Sequence, residues 1–110
     1  MTDEKLPEEF VNNIAEVVKM VGHVQRMRIL EYLDIHGEST VTAIVDGVGG
    51  QQGAVSQHLN RMRQAGVIAA RRNGRQVLYH LTSENVITIL NCFRRRCQAR
   101  LNGEEPPTHE

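Results

Sequence analysis

Residues 51–82 have the sequence QQGAVSQHLNRMRQAGVIAARRNGRQVLYHLT, which contains five arginines and no acidic residue. The whole chain of 110 residues is formally neutral, with 13 Lys and Arg against 13 Asp and Glu. Basic and acidic residues are therefore unevenly distributed along the chain, although the net charge is zero. Positive charge kept on one surface favours a polyanion such as DNA, because Lys and Arg displace the counterions condensed on phosphate.

The first half of this segment predicts an amphipathic helix. Val55, Leu59 and Met62 recur at helical spacing, and we expect the helix to cover residues 52–65. Gly66 follows, as glycine commonly does where a helix ends. With the apolar side chains facing inward, the outward face presents hydrogen-bonding groups at Gln52, Ser56, Gln57, Asn60 and Arg61.

The second half of the segment predicts a β-hairpin. Residues 67–72 and 76–81 alternate between apolar and polar side chains, which is typical of strands. Asn73 and Gly74 lie between them, and Asn-Gly is the strongest short signal for a hairpin turn. The tip of this hairpin is basic, with Arg71, Arg72 and Arg75.

The rest of the chain predicts helices. Apolar residues recur at spacings of three and four, as on the buried face of a helix. The expected helices cover residues 7–22, 24–35, 41–48 and 83–101. The fold is then mainly α with a β-hairpin wing, in the order ααααββα. We predict one domain at residues 8–101, with a flexible N-terminus at 1–7 and a disordered polar tail at 102–110.

Composition excludes several classes of protein. Hydrophobic residues make up 40% of the chain, which suits one small domain with one core. Two cysteines are too few for a disulfide-stapled secreted scaffold, and the acidic start MTDEKLPEEF does not resemble a signal peptide. No stretch has the length of a membrane span, so we expect a cytoplasmic protein. The sequence shows no nucleophile paired with a base, no phosphate-binding glycine loop and no carboxylate pair in an apolar setting. We therefore expect neither an enzyme nor a cofactor.

The order of elements predicts a winged helix-turn-helix. A short helix, a glycine-containing turn and a longer amphipathic helix are a weak signal alone, but the basic hairpin that follows makes it more specific. The N-terminal part of the second helix enters the major groove in such proteins, and wing arginines can reach the backbone or the minor groove. The alternative is a winged-helix protein-interaction module without specific DNA binding. Such a module should show exposed apolar or acidic residues on these surfaces, where this chain has Arg, Gln, Asn and Ser.

The run AVSQHLNRMRQAGVIAARRNGRQVLYHL at residues 54–81 resembles the recognition helix and wing of the ArsR/SmtB family of bacterial repressors. QRMRILEYLDIHGESTVTAIVDGVG at residues 25–49 resembles the second and third helices of that family. The resemblance covers residues 11–97. It implies a homodimer built by the first and last helices, an inverted-repeat operator in double-stranded DNA, and release by an inducer of unknown identity.

The resemblance also implies which side chains contact DNA. The resemblance adds His58 to the outward-facing residues of this helix. From its position alone, His58 could contact phosphate or pack at the turn. The family often has Ser where this chain has Gln51 and Gly53, and Gln is a poor helix cap, so the start of the helix is expected to be softer or shifted. The candidate DNA-binding residues are Gln51, Gln52, Ser56, Gln57, His58, Asn60, Arg61, Arg71, Arg72 and Arg75.

The metal sites of the family are not expected here. Thr40 and Thr42 stand where a Cys-x-Cys pair would bind soft metals, and residues 84–100 contain no His for a zinc site on the last helix. We therefore predict no metal.

Two thiols remain as a candidate sensor. Cys92 and Cys97 lie on one predicted helix about 140° apart, too far round it for an ordinary disulfide. Cys97 is either a small core or interface hydrophobe or a redox switch that pairs across the dimer or with a small-molecule thiol. The neighbouring run Arg94–Arg96 would favour its thiolate if these side chains were close and partly buried.

Overall fold

The computed structural model describes residues 4–103, so the predictions for residues 1–3 and 104–110 lie outside the described residues. The elements are α1 (Glu8–Val21), α2 (Val24–His36), α3 (Val41–Val48), α4 (Gln52–Gln64), β1 (Ile68–Asn73), β2 (Gln76–Leu81) and α5 (Glu84–Leu101). This is the predicted order ααααββα. The boundaries differ from the prediction by about one residue at α1, α2, α4, β1 and α5.

Local side-chain chemistry accounts for several helix ends. The Thr40 hydroxyl accepts a hydrogen bond from the Ala43 amide at 3.1 Å and so caps α3. Ser83 caps α5 in the same way through the Val86 amide at 3.2 Å. Gln51 precedes α4 without a side-chain cap, as expected for Gln.

The core lies between the helices and the base of the hairpin. Gly47 of α3 faces the Tyr32 ring of α2 so closely that a Cβ atom there would overlap the ring, so glycine lets these two helices approach. The buried apolar side chains come from every helix and from β1: Val17, Val21, Ile29, Leu30, Leu33, Ile44, Val55, Leu59, Met62, Ile68, Val86 and Leu90, with Val67 just before β1.

The hairpin is antiparallel, with Ile68 opposite Leu81 at its base and Asn73 opposite Gln76 at its tip. Gly74 has φ 66°, the left-handed conformation that the tight turn needs. Successive side chains in a strand point to opposite faces, so Arg71 and Arg72 lie on opposite faces of the hairpin.

A third segment extends this small sheet. The backbone of Ser39, in the turn between α2 and α3, exchanges two hydrogen bonds with Tyr79, at 3.0 and 2.8 Å. The wing is thereby joined to the helical body along β2.

Helices α1 and α5 pack against each other at one end of the molecule. Several of their apolar side chains stay exposed, among them Phe10, Val18, Phe93 and Leu101. No helix within residues 4–103 is long and apolar enough to span a membrane.

Candidate nucleic-acid interface

Helix α4 has one fully buried face. Val55, Leu59 and Met62 have no exposed surface, which fixes the rotation of the helix about its axis. The opposite face presents the predicted polar residues: Gln51, Gln52, Gln57, Asn60 and Arg61 are exposed and Ser56 is half-buried. Their side chains make no hydrogen bond to another protein group within residues 4–103, so their donors and acceptors face outward.

The turn before α4 depends on glycine and on a contact from α2. Gly49 and Gly50 have φ of 84° and 93°, the left-handed region that other residues rarely adopt. The Gln25 side-chain amide donates a hydrogen bond to the Gly49 carbonyl at 3.1 Å. This contact ties the start of α4 to the beginning of α2.

His58 does not share the outward direction of its neighbours. It is half-buried, and its ring lies 4.8 Å from the His23 ring, centroid to centroid, with 53° between the planes. Its Nδ1 atom is buried without a hydrogen-bond partner among residues 4–103. The structure therefore places His58 against the α1–α2 junction, the packing role that the sequence left open.

Burial lowers the pKa of His58, and the positive charges that His23, Arg26 and Arg61 carry or can acquire lower it further. His23 itself caps α2, because its Nδ1 accepts a hydrogen bond from the Gln25 amide at 3.1 Å. The two rings thus connect the middle of α4 to the start of α2.

The wing arginines fall into two groups. Arg72 and Arg75 are exposed and form no ion pair within the described residues. Arg71 instead donates two hydrogen bonds to the Glu38 carboxylate, at 2.6 and 2.8 Å. His80 lies beside the same carboxylate, with its Nδ1 atom 3.5 Å from Glu38 Oε2.

This pair changes the titration of both partners. The hydrogen bond from Arg71 lowers the pKa of Glu38, and the same bond raises the pKa of Arg71. Glu38 is not among the predicted site residues, because it lies 33 positions before Arg71 and no local periodicity relates the α2–α3 turn to a strand of the hairpin. Glu38 therefore places an acidic group beside a segment that contains none of its own.

The two thiols lie in different surroundings. Cys92 is half-buried, whereas Cys97 is exposed, and both are free. Cys97 lines an open cavity of about 510 Å³ between the start of α2 and the second half of α5, together with Val24, Met27, Arg28, Glu31, Leu90, Phe93, Arg94 and Gln98. Arg94, which lines this cavity, forms an ion pair with Asp34, with 2.7 Å between Nη1 and Oδ2.

No group of three or more His, Cys, Asp or Glu that could hold a metal ion occurs within residues 4–103. Thr40 stands at one of the two positions where a metal-binding Cys-x-Cys pair would lie, and here its side chain caps α3.

Comparison with known proteins places these features in a family. The profile described as "Bacterial regulatory protein, arsR family" matches residues 23–70. An uncharacterised HTH-type transcriptional regulator of Mycobacterium tuberculosis is 35% identical over 81 residues, covering 74% of this chain and 71% of the relative.

Solved structures have the same architecture. The transcriptional repressor BigR from Xylella fastidiosa superposes with a TM-score of 0.71 at 29% identity, covering 77% of this chain and 86% of BigR. A homodimeric winged helix-turn-helix DNA-binding domain from Mycobacterium bovis gives 0.74 at 23% identity, covering 98% of this chain and 100% of that domain. The prediction of a winged helix-turn-helix fold is confirmed.

The His58 contact should make stability depend on pH. Because the folded state lowers the pKa of His58, the unfolded state binds this proton more tightly. The stability that the folded protein gains from a neutral His58 ring is complete above about pH 6.5, the pKa of an unperturbed histidine. It is lost as the pH falls through the pKa of His58 in the folded state. Urea unfolding at about pH 7.5 and about pH 5.5 should show a loss of stability that His58→Gln reduces. His36→Gln, at an exposed position away from this contact, should keep the full loss, and an equal reduction in both variants would contradict the assignment.

Proposed function

Because the chain belongs to the ArsR family of bacterial regulatory proteins, we propose that it is a homodimeric repressor that binds an inverted-repeat operator. It is a DNA-binding transcriptional regulator built on a winged helix-turn-helix. The observation that carries the proposal is the outward polar face of α4, followed directly by a wing whose Arg72 and Arg75 form no ion pair within the described residues. Its operator would overlap a promoter, where a bound dimer blocks polymerase.

Helix α4 is the proposed recognition helix. Gln52 and Gln57 offer amide groups that can pair with base edges in the major groove, and Asn60 can do the same. Ser56 and Arg61 suit phosphate contacts, and Gln51 lies at the end of the helix that approaches the backbone. His58 contributes by holding the helix against the α1–α2 junction, since its ring is turned inward.

The proposed wing contacts are Arg72 and Arg75. Both are exposed at the tip of the hairpin, and neither has an acidic partner within residues 4–103. Guanidinium groups at a wing tip can reach phosphate or a narrow minor groove.

Homodimerisation would occur through α1 and α5. These helices adjoin each other and leave apolar side chains exposed by 41% at Phe10, 53% at Val18, 48% at Phe93 and 76% at Leu101. Large apolar side chains exposed on two adjoining helices favour an interface there, because association would bury them. A twofold dimer presents two copies of α4 about one DNA turn apart, about 34 Å, which requires a palindromic site.

Selection of bound fragments from genomic DNA, followed by sequencing, identifies the operator and tests the inverted repeat directly. Enriched fragments without twofold symmetry would contradict the proposed dimeric mode of binding.

The wing should contribute to the salt dependence of DNA binding. Each phosphate contact adds about 0.9 to the slope of log affinity against log salt, so Arg75→Gln should reduce that slope by about 1. Lys19→Gln removes one charge from α1, which is not among the proposed DNA-contacting elements, and should leave the slope unchanged. Fluorescence anisotropy across a salt series measures both. Absence of binding by the unaltered protein at low salt would favour a protein-interaction module instead.

The dimer interface can be tested with a charge on α5. Phe93→Glu should shift the protein towards monomer in sedimentation equilibrium, because a carboxylate would be buried without a partner. Ile35→Glu is the matched control, since Ile35 is also apolar and 62% exposed but lies at the end of α2. Equal association of the two variants would argue against this interface.

The inducer is proposed to be thiol-reactive. Cys97 is the exposed cysteine and opens onto the cavity between α2 and α5, so a small disulfide could reach it. Its thiolate would attack that disulfide, forming a mixed disulfide and releasing one thiol. The added group would occupy the cavity next to Phe93, in the proposed interface.

If Cys97 is the sensor, oxidised glutathione should weaken operator binding by the unaltered protein and by Cys92→Ser. Cys97→Ser should bind DNA equally well before and after treatment. Anisotropy measured with and without the disulfide, alongside intact-mass analysis of the adduct, provides the comparison. Release that persists in Cys97→Ser would exclude Cys97 as the sensor.

A further inference from the structure

Glu38 reaches across the wing rather than along it. The next residue, Ser39, pairs with Tyr79 in antiparallel register, which places Glu38 level with His80. Residues directly opposite each other in antiparallel strands point to the same face, so Glu38 and His80 share the outer face of the hairpin. Arg71 is on that face too, since it is a diagonal neighbour of His80 across the ladder. The Glu38 carboxylate therefore crosses β2 to bind a guanidinium on β1.

The contact joins the turn between α2 and α3 to β1, two segments that are 33 positions apart in the sequence. Its two hydrogen bonds, at 2.6 and 2.8 Å, come from Nε and Nη2 of Arg71 and meet both carboxylate oxygens. Such a forked geometry fixes direction as well as distance. The Glu38 and Arg71 side chains are 33% and 54% exposed, so solvent partly screens the pair.

We propose that Glu38 is a positioning residue for the wing, and that Arg71 is its anchor on β1 and not a phosphate contact. The inference rests on the proposed contact of the wing with DNA. It divides the basic tip by role, with Arg72 and Arg75 contacting the nucleic acid and Arg71 fixing the strand that carries them.

Two physical arguments separate these roles. To reach phosphate, Arg71 would have to give up two charged hydrogen bonds and leave the Glu38 carboxylate unpaired near a polyanion. Arg72 is the next residue on the same strand but points to the opposite face, and it forms no ion pair within the described residues. Pairing Glu38 with Arg71 also cancels an acidic charge that would otherwise repel DNA.

Reversing the pair distinguishes an anchor from a contact. Arg71→Glu alone, and Glu38→Arg alone, each place two like charges together and should loosen the wing. The double variant with both changes restores an oppositely charged pair of the same total length. Its affinity for a duplex selected from a random-sequence pool should be within about twofold of the unaltered protein, and clearly above that of Arg71→Glu. Affinity as low as that of Arg71→Glu would overturn the proposal, because it would mean that DNA needs the arginine itself.

Removing both charges of the pair together, in a charge-balanced variant, provides a second test of DNA affinity. The double variant Glu38→Gln and Arg71→Gln keeps the net charge but removes the anchor. It should bind the same duplex about two- to fivefold more weakly, with an unchanged salt slope. A slope reduced by about 1, as expected for Arg75→Gln, would instead identify Arg71 as a phosphate contact.

Hydrogen exchange tests the anchor without DNA. Amides of β1 and β2 should exchange faster in the charge-balanced variant and regain protection in the reversed pair. The control reverses Arg28 and Glu31, an ion pair at 2.9 Å within α2, and should leave the hairpin unchanged. If the unaltered protein binds no duplex, the proposed function fails, whereas unchanged exchange in the charge-balanced variant contradicts the anchor alone.

Discussion

Burial of Val55, Leu59 and Met62 determines where the rest of the interface points. All three side chains of α4 lie inside a core shared with Ile29 and Ile44, so the helix cannot rotate without exposing apolar surface. Once that face is fixed, the 3.6-residue period directs Gln52, Gln57, Asn60 and Arg61 outward. The chemistry of the outward face is thus a consequence of what the inward face buries.

Two further contacts hold α4 in place relative to the body. Gln25 bonds the glycine turn before the helix, and His23 packs on His58 at its middle. Both partners lie at the junction of α1 and α2, so movement at that junction would be transmitted to α4, the proposed recognition helix. An inducer that repacks α1 and α5 would act near this junction. Modification of Cys97, the proposed sensor, could in this way change the position of α4 and so weaken DNA binding.

The wing is held by different means. It has little core of its own, because only the base of β1 is buried while β2 is half-buried along most of its length. Beyond buried Ile68 at its base and partly buried Tyr79 and Leu81, its contacts with the helical body are polar: the backbone pairing of Ser39 with Tyr79 and the ion pair of Glu38 with Arg71. A hairpin with an exposed tip and little buried surface opens at a lower free-energy cost than α4, which is held by a fully buried face.

The sequence by itself determined the order of elements, the hairpin turn and the two faces of α4, because each follows from local period or from residue-specific backbone preference. It also indicated the family, since the matching residues are contiguous. It did not determine the direction of His58 or the partner of Arg71. Both depend on side chains that are far away in the chain, His23 and Glu38, and only the tertiary structure brings these together. Local patterns specify which face a residue lies on, but long-range packing decides which group it meets there.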